Sequence, residues 1–242
     1  LISTLWSWHA VYLLSGGLIL IFAIVVWFRL PEAHRSGQIK LWQIYVSLFT
    51  LATHEPHLIR RGIVGGIGFG ILALIFTTMT FLLANAPYYF NDFQIGVFGV
   101  VGLAGVFATH WAGKKIAKKQ ENLTALLSLI LLIAAWFPLF FAQKSLILYA
   151  SGVILAYFGL SALHVLNQNL VYRISLQARS RINSIYMTLY FAGAALGSLM
   201  AVYAWKHWGW TACASIGLGM AILSFMIDRY DFYVMKRSAE CD

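Results

Sequence analysis

The sequence predicts an all-α fold: a polytopic transmembrane bundle of six helices, preceded by one extra transmembrane helix. Three observations predict it. Hydrophobic residues make up 61% of the 242 and charged residues 10%, against roughly 45–50% and 25% in soluble domains. The apolar residues are gathered into runs of the ~20 needed to cross the hydrocarbon of a bilayer. All but Lys144 and Lys206 of the 17 Lys and Arg lie between alternate runs, as the positive-inside bias requires. A soluble domain of this length still exposes about a quarter to a third of its chain's surface and has nowhere to hide so much apolar side chain. Lipid as solvent removes the conflict, and an aromatic content of 16% with nine Trp suits the belts at headgroup level.

The first span is residues 6–30, the second 62–84, the third 93–112, the fourth 123–142 and the fifth 146–168. A sixth run, 183–227, is too long for one crossing. Lys206-His207-Trp208-Gly209 divides it into 183–205 and 210–227, giving seven crossings. Arg29, Arg35, Lys40, Arg60 and Arg61 follow the first span. Lys114, Lys115, Lys118 and Lys119 follow the third; Arg173, Arg179 and Arg181 follow the fifth; Arg229, Lys236 and Arg237 follow the last. One miscounted span would invert every later loop, so this alternation supports the count, and the basic side is assigned to the cytoplasm. Residues 41–53 are apolar but short, and end at His54-Glu55-Pro56-His57. They read as an amphipathic helix on the cytoplasmic surface, anchored by Trp42 and Tyr45. The chain therefore divides into a transmembrane helix (1–30), a cytoplasmic loop with that interfacial helix (31–61), a six-helix unit (62–227) and a cytoplasmic tail (228–242). No basic n-region precedes the first run, so the start does not read as a signal peptide. With Leu1 in place of an initiator Met, the sequence reads as a fragment, a processed product or a truncated gene product.

In lipid, helices associate through small residues that allow close approach. Gly62, Gly66, Gly70, Ala73, Thr77 and Thr80 lie on one face of the second span. The glycines suit packing, and Thr77 and Thr80 could line a cavity or bond within the helix. Gly96, Gly99, Gly102 and Gly105 form a strip on the third span, and Gly193 and Gly197 form a G-x-x-x-G pair beside Tyr186 and Tyr190 on the sixth. The fifth span carries the most chemistry: Tyr157, Ser161, His164 and Gln168 fall at spacings of four, three and four on one face, flanked by Asn167 and Asn169. Polar groups within a membrane are costly without a partner or water. This face therefore either lines a solute path, with His164 as solute contact or proton carrier, or seats a neutral His between helices. His9, His34, His54, His57 and His207 fall in loops or interfaces and are expected to be solvated, and His110 is expected to anchor at the interface.

The composition excludes other classes. The charge of +9 sits in short loop clusters, with no basic face for nucleic acid. Two Cys make no disulfide scaffold. There is no phosphate-binding glycine loop, H-E-x-x-H, C-x-x-C or G-x-S-x-G. The acidic residues fall in loops, at interfaces or in the tail, so no catalytic cluster, metal site or cofactor is expected. A membrane-embedded scaffold is the competing reading.

The stretch from Gly105 through Thr109, His110 and Gly113 to Lys114 and Lys115 resembles the cytoplasmic loop signature of the major facilitator superfamily: a spaced glycine, an Asp-Arg pair, a second glycine and a basic pair. Thr109 and His110 occupy the Asp-Arg places, as is typical of the weaker copy in the C-terminal half. Segments 86–88, 93–99, 178–187, 192–198 and 208–210 extend the resemblance over nearly the whole chain, towards the bacterial arabinose-efflux and drug-efflux-like permeases. The resemblance implies twelve helices in two six-helix halves. The first span here would match the sixth helix and the rest the seventh to twelfth, with the central cytoplasmic loop between them. It further implies alternating access around a site between the halves, lined partly by the second and fifth spans. The implied activity is proton-coupled efflux of a small organic solute across a bacterial inner membrane. The implied partners are membrane lipids, the solute, and the N-terminal half or another chain, without which no transport is expected.

Overall fold

A computed structural model of the protein describes residues 8–29 and 41–241, and every regular element among them is helical. In chain order they are α1 (Trp8–Arg29), α2 (Leu41–His54), α3 (Pro56–Ala84), α4 (Asp92–Phe98), a 3-10 segment (Gly99–Leu103), α5 (Ala104–Ala117), α6 (Glu121–Ala134), α7 (Trp136–Phe140), α8 (Leu146–Tyr172) and α9 (Arg179–Cys241). His34, Arg35 and Lys40 lie outside the described residues.

Local chemistry explains the breaks. Glu55 precedes Pro56 and is held out of the helical region at φ −116°, ψ 75°, so α2 stops and Pro56 opens α3 from its first turn. The α2 helix has 14 residues, roughly 21 Å of rise, and falls short of the ~30 Å hydrocarbon. Asn91 and Gln94 form a reciprocal capping box at the start of α4. Pro138 has no N–H to donate, and the fourth span is accordingly divided into α6 and α7. Gly209 adopts φ 70° within α9, in a region that costs an L side chain energy.

Six of these helical stretches are long and apolar enough to cross a bilayer; the last runs 59 residues, from Arg179 to Arg237. Its two limbs pack antiparallel about Gly209. On the first limb, Tyr186, Gly193, Gly197 and Trp205 follow Gly65, Gly66, Gly70 and Phe81 up α3. On the second, Met220, Ser224 and Asp231 return beside Gly70, Val64 and Arg61. The helical backbone is broken at Gly209 (φ 70°, ψ −160°), so the stretch is two antiparallel helices that meet there, in line with the sequence division.

The partner pairs also fix which ends lie together. Arg61 meets Asp231, Arg173 meets Glu121, and Arg229 meets Asn122, so these basic positions share one end of the bundle. At the other end the Trp210 indole donates to the Leu139 carbonyl at 2.7 Å, and the Tyr88 hydroxyl donates to that of Ala142. Phe98 and Trp210 flank Tyr149 there.

Helix ends extend past the apolar runs. α3 begins six residues before the second span, which places Arg60 and Arg61 inside a helix. α9 continues through the residues read as a tail, which makes Asp228 and Asp231 helical. The core gathers α3, α6, α7, α8 and the second limb of α9 around Ile71, Ile75, Leu129, Trp136, Leu163 and Trp210. α1 belongs to a different environment: none of its 18 residues from Tyr12 to Arg29 is buried.

Candidate functional site

The close approach of α3 to the first limb of α9 sets the geometry. A Cβ on Gly193 would overlap the backbone of Gly66, and one on Gly197 would overlap that of Gly70. Only two glycine backbones facing each other allow this separation. Side chains flanking the seam are forced against one another. Thr77 Oγ1 lies 2.9 Å from Ser198 Oγ, so Thr77 bonds across the seam, whereas Thr80 is exposed. On the third span the expected strip divides. Gly99 has open space where a Cβ would stand, so no helix approaches there. Gly102 faces the Tyr157 ring, and Gly105 lies against Ser161 Oγ. Gly99 and Gly102 fall within the 3-10 segment, where residues three apart eclipse, so a strip of period three keeps one face.

Beside the seam, α3, α8 and the first limb of α9 build an aromatic wall. Phe69 stacks on Tyr190 with centroids 4.3 Å apart, Tyr190 lies 4.5 Å from the His164 ring, and Phe76 meets Tyr157 edge-on at 5.5 Å. His164 Nδ1 is 3.2 Å from the Tyr186 hydroxyl. Tyr186 is buried, but His164, Tyr190, Tyr157, Ser161 and Gln168 are half-buried, so the wall keeps one side open. The four candidates of the fifth span share a face but divide their neighbours: Tyr157 and Ser161 lean on α5 and the segment before it, while His164 meets α9. The wall offers imidazole and phenol hydrogen-bonding groups among ring faces. Ring faces attract cations, and apolar walls with a few polar groups bind small molecules.

Sequence reading placed Tyr186 and Tyr190 on a packing face and missed them as partners of His164. Their own i, i+4 spacing on the sixth span was the available signal.

A second polar group closes the basic end. Arg61 is 0% exposed, as is Asp228, and Asp231 is 1% exposed. Arg61 Nε donates to Asp231 at 2.6 Å and Nη1 to Asp228 at 2.6 Å, with Asn167 Oδ1 at 3.4 Å. Arg60 Nε donates to Asp231 at 2.5 Å, His57 Nδ1 lies 3.1 Å from it, and Arg229 pairs with Asp228. His57 is therefore half-buried and bonded, contrary to the solvated position expected. The two carboxylates are not free tail groups: the continued helix carries them back against α3, where burial requires pairing. This cluster joins α3, α8 and α9, and Arg229 extends it to Asn122 on α6.

The signature residues Gly105, Thr109, His110, Gly113, Lys114 and Lys115 lie within α5 and not in a loop, because that helix runs five residues past the predicted end at Ala112. Thr109, His110, Gly113 and Lys114 border a surface cavity of about 660 Å³ with Val165 of α8. No group of three or more His, Cys, Asp or Glu able to hold a metal occurs among the described residues.

Residues 1–198 match the family model described as Major Facilitator Superfamily. The chain is 30% identical over 227 residues to the uncharacterized transporter YgaY of Escherichia coli O157:H7, covering 94% of this chain and 58% of that protein. It is 21% identical over 233 residues to the uncharacterized MFS-type transporter YybF of Bacillus subtilis, covering 95% and 57%. It is 20% identical over 222 residues to an uncharacterized transporter of Buchnera aphidicola from Schizaphis graminum, covering 91% and 53%. The chain thus spans little more than half the length of these relatives. No solved structure matches it.

Proposed function

The chain belongs to the major facilitator superfamily, and from that premise we propose that it supplies the C-terminal six-helix half, with the helix before it, of a secondary active transporter. Its work is efflux of a small organic solute across a bacterial inner membrane by alternating access, driven by protons. The observation that carries this reading is the half-open aromatic wall on α3, α8 and α9, with His164 at 3.2 Å from Tyr186 and ring contact with Tyr190. Such a wall is one side of a site, and the opposing side comes from the N-terminal half.

His164 is the proton-carrying candidate because imidazole changes charge near neutral pH and no described carboxylate bonds to a residue of the wall. The seam of Gly66, Gly70, Gly193 and Gly197 keeps the half rigid, so that it rocks as one body. The test is solute extrusion from inverted vesicles holding the chain paired with an N-terminal half. A panel of small organic cations and neutral aromatics is offered with and without a proton gradient. Gradient-dependent movement that falls at least tenfold in His164→Ala supports the proposal. Gradient-dependent movement untouched by that substitution removes His164 from the coupling.

A further inference from the structure

One built feature stands apart from the solute path: the groove between α2 and the start of α9. Trp42, Tyr45 and Phe49 on α2, spaced three and four apart, are 74%, 65% and 73% exposed. Towards α9 the helix borders two adjoining cavities of about 640 and 340 Å³, both lined by Gln43, Ser47 and Arg181, and Trp42 stands at the edge of the larger. The floor of the larger is apolar: Val46 and Leu51 face Ala178, and Leu51 is packed on the buried cluster of Leu58, Ala178 and Ile182. Leu51 thereby pins one end of α2 to the bundle and leaves the groove open beside it.

Arg181 stands at the edge of this trough without an ion pair among the described residues. Glu55 borders the larger cavity too, yet no salt bridge joins the two. Every other feature places the groove at headgroup level. It lies at the end of the bundle that collects the basic loops, under exposed Trp and Tyr of the kind that settle at the interface.

We propose that this groove is a binding site for an anionic phospholipid. The acyl chain lies along Val46, Leu51 and Ala178, and the phosphate meets Arg181 with the Ser47 and Gln43 side chains beside it. An apolar trough whose rim carries Arg181, without an ion pair among the described residues, is complementary to an anionic amphiphile. A free phosphate would use the cation and leave the trough unused; a zwitterionic lipid would use the trough and bring an ammonium toward Arg181. Occupancy would hold α2 on the bundle, through contacts independent of any solute path.

Native mass spectrometry of the whole chain in detergent tests this, with dioleoyl phosphatidylglycerol, dioleoyl phosphatidylcholine and inorganic phosphate as probes. Phosphatidylglycerol is expected to be retained about fivefold more tightly than phosphatidylcholine, the scale of one basic contact at a lipid surface. Arg181→Ala abolishes that preference, while Arg237→Ala, with the same loss of charge, keeps it. Val46→Trp fills the trough with Arg181 intact and lowers retention of both lipids at least fivefold. Equal retention of the two lipids, equal effects of R181A and R237A, full displacement by millimolar phosphate, or unchanged retention in V46W would each overturn the proposal.

Discussion

Two polar groups meet α8 one turn apart, at Asn167 and at His164, and they solve the same problem in opposite ways. At the basic end Arg61, Asp228 and Asp231 are wholly buried, and the two carboxylates accept from Arg60, Arg61 and Arg229. Three guanidinium groups share two carboxylates, and each carboxylate is held by at least two of them. At the wall, three residues along from Asn167, His164 is half-buried, has one phenol within hydrogen-bond distance, and faces an open side. The first arrangement holds helices; the second leaves capacity for something else to bind. Polar residues within a membrane protein therefore do not mark function by their presence alone. The number of their partners and the openness of the site separate a fastener from a site.

The largest expected effect tests the fastener. Asp231→Ala leaves Arg60, Arg61 and His57 facing a gap, and removing one partner of a buried ion pair costs about 3–5 kcal/mol. Thermal unfolding in detergent should show the loss, and Asp231→Asn should show a smaller one. A variant as stable as the parent would mean the cluster does not hold α3 to α9. Next comes the seam that keeps both groups in register. Gly193→Ala puts a methyl into the Gly66 backbone and should cost about 1–3 kcal/mol by overpacking. Gly99→Ala, with open space at the same atom, should be neutral or mildly stabilising, and equal melting of the two would contradict the contact assignment.

At the wall the expectation reverses, with a small loss of stability and a large change in access. His164→Ala should cost at most ~1 kcal/mol, one hydrogen bond's net contribution. Cysteine substitution with Cys213→Ala and Cys241→Ser sharpens the point. Positions 161, 164 and 168 should react with a water-soluble maleimide in membranes, and 163 and 166, both 0% exposed, should not. Uniform silence along α8 would show the wall to be packed, as a scaffold requires. The smallest effect belongs to the surface: Arg173→Ala breaks the 3.0 Å pair with Glu121 at a site where Arg173 is 55% exposed, and should shift stability by no more than ~1 kcal/mol.

Much of the fold was legible because each rule behind it is local. The alternation of basic loops fixed the parity of the crossings, and the pairs Arg61–Asp231, Arg173–Glu121 and Arg229–Asn122 agree with it. The break before Trp210 was visible in Lys206 to Gly209, although its form, a single left-handed glycine joining two helices, was not. The site was only half legible. Helical periodicity puts Tyr157, Ser161, His164 and Gln168 on one face but cannot say that the face is shared between α5 and α9. Nor could it foresee that Thr77 would be taken up by Ser198. Asp228 and Asp231 were misplaced because apolar run length ends a span at the last hydrophobic residue, whereas a helix continues as long as its backbone bonds and ion pairs are satisfied.

The sequence by itself determined that this is a multi-pass membrane protein, where its apolar runs lie, and which basic residues fall between them. Those follow from hydrophobicity and charge, which act residue by residue against the solvent. The tertiary structure alone decided which polar groups are spent on one another and which stay open. That depends on partners 22 to 174 residues apart in the chain, and on a helix separation set by paired glycines, and no local pattern encodes the meeting of distant side chains.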